Sequence, residues 1–115
     1  MATGTINKQL SVETAQATIT QSFTNVRTNQ AVKIGNLVYY QFNATANQSI
    51  AAWTEFLKMP FDLEQGAEVQ FHGVYNDADD ILAMFEGNGA TFISSKTAMT
   101  SGKKISFNVV YLTVD

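Results

Sequence analysis

Cysteine is absent from this 115-residue chain, and histidine, tryptophan and proline occur once each. Without cysteine there is no disulfide, no thiol nucleophile and no thiolate metal site. The lone imidazole, His72, leaves zinc without its preferred ligands. Charge is scarce too: Asp, Glu, Lys and Arg make up 15% of residues, against a usual share of about 25%. The formal net charge of −3 has the wrong sign for neutralising phosphates and argues against a nucleic-acid partner. No apolar run approaches the roughly 18 residues of a membrane span, and the N-terminal stretch lacks the cationic start and apolar core of a signal peptide. The expectation is a soluble chain without a leader, inserted in no membrane.

Hydrophobic residues, at 45%, give a composition that folds, and 115 residues suit one domain. The polar surface comes from 13 Thr, 7 Ser, 9 Asn and 8 Gln, neutral side chains that suit strands and turns better than exposed helices. Charge is also unevenly placed: seven of the ten acids lie between Asp62 and Glu86, a stretch with no Lys or Arg. Residues 1–15 read as a leader, a tag remnant or the end of a neck, and residues 16–115 as a single domain.

Two-residue alternation dominates that domain. Ala17, Ile19, Gln21 and Phe23 alternate with threonines and serine, predicting a first strand. Gly35-Asn36 separates Val32 and Ile34 from the branched and aromatic run Leu37–Phe42, predicting a hairpin. From Ser49 to Pro60, Ile50, Trp53, Phe56 and Leu57 fall at helical spacing behind a candidate N-cap, so the unaided pattern predicts a short helix, although a strand also fits. Val69, Phe71, Gly73 and Tyr75 define another strand, and Asn76–Asp80 reads as a loop. Asn88-Gly89 marks a tight hairpin turn between Ile81–Glu86 and Ala90–Ser95. The last strand, from Ile105 on, turns apolar on both faces, which predicts a central, doubly covered position. Strands at such spacing predict an all-β fold, an antiparallel β-sandwich or jelly-roll-like arrangement.

Chemistry is sparse. His72 falls on the outward register beside Gln70, and no Gly-x-Ser-x-Gly elbow accompanies it. Asp77-Ala78-Asp79-Asp80 could gather oxygens for a hard cation, but Ile81 and Leu82 break the EF-hand pattern, and a solvated turn explains the acids as well. Ser101-Gly102-Lys103-Lys104 has Thr97 where a phosphate loop needs glycine, and Gly87-Asn88-Gly89 meets Phe92 where a dinucleotide fingerprint needs its third. Trp53, with Tyr39, Tyr40, Tyr75 and Phe92, could present an apolar surface on which a sugar ring stacks, with nearby Asp or Asn accepting its hydroxyls. The ligand-binding candidates are Trp53, Tyr75, Asp77, Asp79, Asp80 and His72; no catalytic residue, metal or cofactor is assigned.

Over residues 30–115 the order of these motifs resembles a small β-sandwich domain found at the C-terminus of phage tail fibre, baseplate and receptor-binding proteins. The likeness rests on Val32-Lys33-Ile34-Gly35-Asn36-Leu37-Val38, then Trp53-Thr54 ahead of Leu57-Lys58-Met59-Pro60, then Asn88-Gly89, and a closing run from Ile105 to Thr113. Met59-Pro60-Phe61 departs from the commoner Leu-Pro-Gly-like turn. The resemblance tips Trp53–Leu57 toward strand and implies a trimer at a virion tip that contacts host-surface saccharide or another receptor beside other tail or baseplate proteins. The function it implies is adhesion without catalysis. The alternatives are a purely structural module that trimerises or caps a fibre, and a small glycan-cleaving enzyme using two carboxylates of the acidic segment.

Overall fold

The computed structural model describes residues 12–114. Among them are nine strands and no helix: β1 (Val12–Ala15), β2 (Thr18–Ile19), β3 (Phe23–Ile34), β4 (Leu37–Ala46), β5 (Leu57–Lys58), β6 (Glu68–Tyr75), β7 (Ala78–Gly87), β8 (Ala90–Ser95) and β9 (Lys104–Leu112). All pairings are antiparallel and join the strands into one sheet, in the order β1-β3-β4-β9-β6-β7-β8-β5-β2. The all-β antiparallel class expected from the alternation is the class observed. The sheet reaches back to Val12, into the stretch that the sequence set apart from the domain, and residues 1–11 of that stretch lie outside the described residues.

The sheet curls for a reason that the topology makes plain. Its two edges, β1 and β2, are joined only by Gln16 and Ala17. The chain between Ala15 and Thr18 can span at most about 11 Å, so the opposite edges must approach one another. Asn29 fastens the crossing: the Ala17 N–H donates to Asn29 Oδ1 at 3.0 Å, Asn29 Nδ2 donates to the Ala17 carbonyl at 2.9 Å, and the Tyr40 hydroxyl donates to Asn29 Oδ1 at 2.7 Å. One carboxamide thereby satisfies both backbone groups of a buried residue that belongs to neither edge ladder.

Inside the curl, period-two alternation delivers the core. Val38, Tyr40, Phe42, Ala44 and Ala46 of β4 face inward beside Ile105, Phe107, Val109 and Tyr111 of β9, with Leu57, Leu82, Met84 and Ile93 from the other half of the sheet. Phe107 sits among the rings of Tyr40, Phe42, Phe56 and Phe71, at centroid distances of 6.0, 5.7, 6.4 and 5.3 Å. Such tilted and edge-on contacts add to the area term for burying aromatics.

Among the long strands the pairing is shortest between β9 and β6. β4 and β9 stay in register from Leu37↔Leu112 to Thr45↔Lys104, whereas β9 and β6 meet only at Val74↔Ser106 and Tyr75↔Ile105 before they splay. Gly73 marks the parting. A Cβ there would lie 2.7 Å from Leu82 Cδ1 and 2.8 Å from Phe107 Cβ, so the strands approach as they do because this position has no side chain.

Several local expectations change. The segment 49–60 contains no helix; the N–H groups of Trp53, Phe56 and Met59 donate to the carbonyls of Ser95, Ile93 and Thr91, so its backbone is committed to β8 and unavailable for helical bonding. Only Leu57–Lys58 within it is strand. The loop expected over Asn76–Asp80 shrinks to a two-residue turn, because Asn76 and Asp77 both adopt positive φ (51° and 64°), the geometry of a tight hairpin, and β7 starts at Ala78. The first strand breaks after Ile19 and resumes as β3 at Phe23. β9 is central as expected, but only its inner face is covered; Val110 and Leu112 are exposed on the other. The Gly35-Asn36 and Asn88-Gly89 hairpins form as predicted.

Candidate functional site

The six residues singled out from the sequence separate into three places. Tyr75 is buried on the inner face, and its hydroxyl accepts the Thr100 N–H at 2.7 Å. Asp80 is 5% exposed, since it shares the inward face of β7 with Leu82 and Met84; its carboxylate accepts from Ser95 Oγ at 2.6 Å and Thr97 Oγ1 at 2.7 Å. Both side chains are engaged within the fold. Asp80 closes the core where the chain leaves β8, and the Thr97 N–H donating to Ser95 Oγ at 3.1 Å completes the arrangement.

Trp53 stands above that closure. Its N–H donates to the carbonyl of Ser95 at 2.7 Å, the residue whose hydroxyl holds Asp80, so Trp53 and Asp80 both bond to one residue. The indole is 51% exposed and its backbone lies at φ +60°, a conformation that costs a bulky residue energy. Among the described residues its ring touches no other aromatic.

His72, Asp77 and Asp79 share the outward side of the β6–β7 hairpin. His72 Nδ1 lies 3.0 Å from Asp79 Oδ2, both groups being solvent-exposed, and Asp77 occupies the turn. His72 also lines the feature that the splay of β9 and β6 opens: a cleft of about 350 Å³ bordered by Thr28, Gln41, Asn43, Gly73, Val74, Ser106 and Asn108. That volume is within the range of small-molecule sites, about 300–1,000 Å³.

The cleft is built by register. Gln30, Gln41 and Asn108 lie directly opposite one another across β3, β4 and β9, and Thr28, Asn43 and Ser106 form the next row. These rows present carboxamides and hydroxyls, each able to donate and accept, with no charged residue among them. Asn43 Oδ1 is buried there without a hydrogen-bond partner, an acceptor that a ligand's donor would satisfy. Chemically, the arrangement can hold a neutral ligand rich in hydroxyls.

Thr28, Gln41, Asn43, Ser106 and Asn108 were not among the sequence candidates. A partial signal exists, since Gln41 and Asn43, and again Ser106 and Asn108, occupy the outward register of their strands. That β9 lies against β4 is long-range information the pattern does not hold. Among the described residues no group of three or more His, Asp or Glu side chains could hold a metal ion.

Burial raises the hydroxyl pKa values of Tyr40 and Tyr111 well above the ordinary tyrosine range; proximity to Tyr111 adds to the first and proximity to Asp62 to the second. Both hydroxyls donate hydrogen bonds, Tyr111 to the Phe61 carbonyl at 2.8 Å, so the fold holds both phenols in the neutral form.

Comparison with protein-family models, with curated proteins and with solved structures finds no match for this chain.

Proposed function

We propose that the domain is a non-catalytic adhesion module that holds a neutral host-surface saccharide in the cleft between β9 and β6. In this proposal it is a jelly-roll-like head, assembled as a trimer at a phage tail tip or baseplate, in line with the resemblance of residues 30–115. The observation that supports it is the pair of uncharged amide and hydroxyl rows beside the buried Asn43 oxygen. A saccharide offers hydroxyls that donate and accept, and neutral carboxamides meet them without the cost of stripping water from a charge. Val74, exposed along the cleft wall, supplies apolar contact, and His72 and Asp79 supply polar groups at its rim. Trp53 offers a separate stacking surface on the β4–β5 connection.

The test is a glycan array and a cell-wall pull-down with the full chain. Binding is expected, with Asn108→Ala and Gln41→Ala each weakening it about tenfold, the loss of about 1.4 kcal/mol. A folded wild type that binds nothing on either platform overturns the proposal. The structural alternative, a module that trimerises or caps a fibre, draws its support from the uncovered apolar face of β9.

A further inference from the structure

The outward face of β1, β3, β4 and β9 continues past the amide rows into apolar ones. Val12, Ile34, Leu37 and Leu112 lie in a line across four strands, and Val32, Tyr39 and Val110 form the next line, with Thr14 at its β1 end. All but Val32 are substantially exposed, Leu112 by 67% and Val12 by 62%. With Val114 nearby, the exposed fractions of these residues amount to roughly 600 Å² of surface, at the upper limit for the largest apolar patch on a monomer and below but near the ≈800 Å² each partner gives to a standard interface.

We infer that this face is buried against a further copy of the same chain. The area is one reason. The other is the charge pattern: the chain is net negative at −3, yet neither apolar line holds a charged residue. Like charges opposed across an interface are the usual obstacle to self-association, and this face has none to oppose. A partner selected by charge would find nothing to read. The inference deepens the proposed assembly by naming its surface, and it relies on that proposal only for the number of copies.

Sedimentation equilibrium of the full chain between about 1 and 100 μM tests it. The wild type should sediment as two or more copies. Leu112→Glu and Val110→Lys, both at exposed sites, should weaken association at least a hundredfold while far-UV dichroism and melting stay those of a folded chain. Glu68→Lys, on the outward face of β6, should associate as the wild type does. A wild type that is monomeric throughout overturns the inference, whether its own N-terminal residues or another protein covers the face. So does a folded Leu112→Glu chain that associates unchanged. Saccharide binding measured on the same samples separates the two proposals. A monomeric wild type that binds saccharide removes the interface alone, and an assembled wild type that binds none supports the interface while removing the adhesion proposal.

Discussion

One outward sheet face carries two surfaces of opposite character. Toward the β3–β4 hairpin its lines are Val12-Ile34-Leu37-Leu112 and Val32-Tyr39-Val110; toward the β6–β9 corner they are Gln30-Gln41-Asn108 and Thr28-Asn43-Ser106. β3, β4 and β9 carry both in one continuous register, and the amide rows are the less exposed of the two. Side-chain chemistry changes within one row step, where Gln41 Nε2 donates to the Tyr39 hydroxyl at 2.7 Å. In the apolar lines that continue across β3, β4 and β9, the Tyr39 hydroxyl is the one side-chain polar group, whereas every side chain of the amide rows donates or accepts. The first suits a protein surface that stays covered, the second a ligand that comes and goes.

Four experiments break or sharpen that comparison. The largest effect is expected from Leu37→Glu combined with Leu112→Glu, which are adjacent across β4 and β9. Association should fall more than a hundredfold by sedimentation, while saccharide affinity per chain measured by calorimetry stays within twofold; loss of both would show that the halves are not independent.

Next comes Gly73→Ala, which forces Leu82 or Phe107 to move at the corner that opens the amide half. Overpacking of this kind costs about 1–3 kcal/mol. Chemical denaturation should show that loss, and saccharide binding should weaken with it, whereas self-association should persist. A chain as stable as the wild type would mean that the corner relaxes freely.

The third concerns the inner side of both halves. Tyr40 and Tyr111 are held neutral by burial, so their folded pKa values lie above the unfolded value. Their contribution is complete below about pH 10, the unfolded tyrosine pKa, and is lost as pH rises beyond it, because the unfolded chain then releases protons that the folded one retains. Denaturation midpoints should be flat from neutral pH to about 9.5 and fall above 10. Tyr111→Phe should flatten that alkaline fall, and an unchanged slope would place its cause elsewhere.

The smallest effect is expected at Trp53. A left-handed backbone costs a non-glycine residue about 1–2 kcal/mol, so Trp53→Gly should leave stability within about 1 kcal/mol of the wild type by melting. Its exposed ring then has a simple readout: unchanged saccharide affinity confines binding to the cleft, and a loss enlarges the site to the β4–β5 connection.

Period-two alternation made the strand content legible, and the glycine and asparagine turns placed two hairpins correctly. It failed where backbone partners lie far away in the chain. Segment 49–60 has helical spacing, but β8 claims its N–H groups. The acids at 77, 79 and 80 read as one cluster because a loop was assumed; with a two-residue turn, Asp79 faces water and Asp80 faces the core. Continuing the alternation of Met84 and Leu82 back by one step would have placed Asp80 inside. The cleft was illegible for a different reason: it exists only because β9 leaves β6 after two pairs, and a lone glycine at position 73 permits that.

The Gln16–Ala17 crossing bears on how the molecule comes to be made. β1 needs β3, about 20 residues downstream, and β2 needs β5, about 40 residues downstream, and β5 in turn leans on β8. During synthesis β2 therefore waits for strands far behind it, as β4 waits for β9. A chain stalled before residue 90 would hold β5 without the β8 it pairs with, and β2 without a supported strand to clasp.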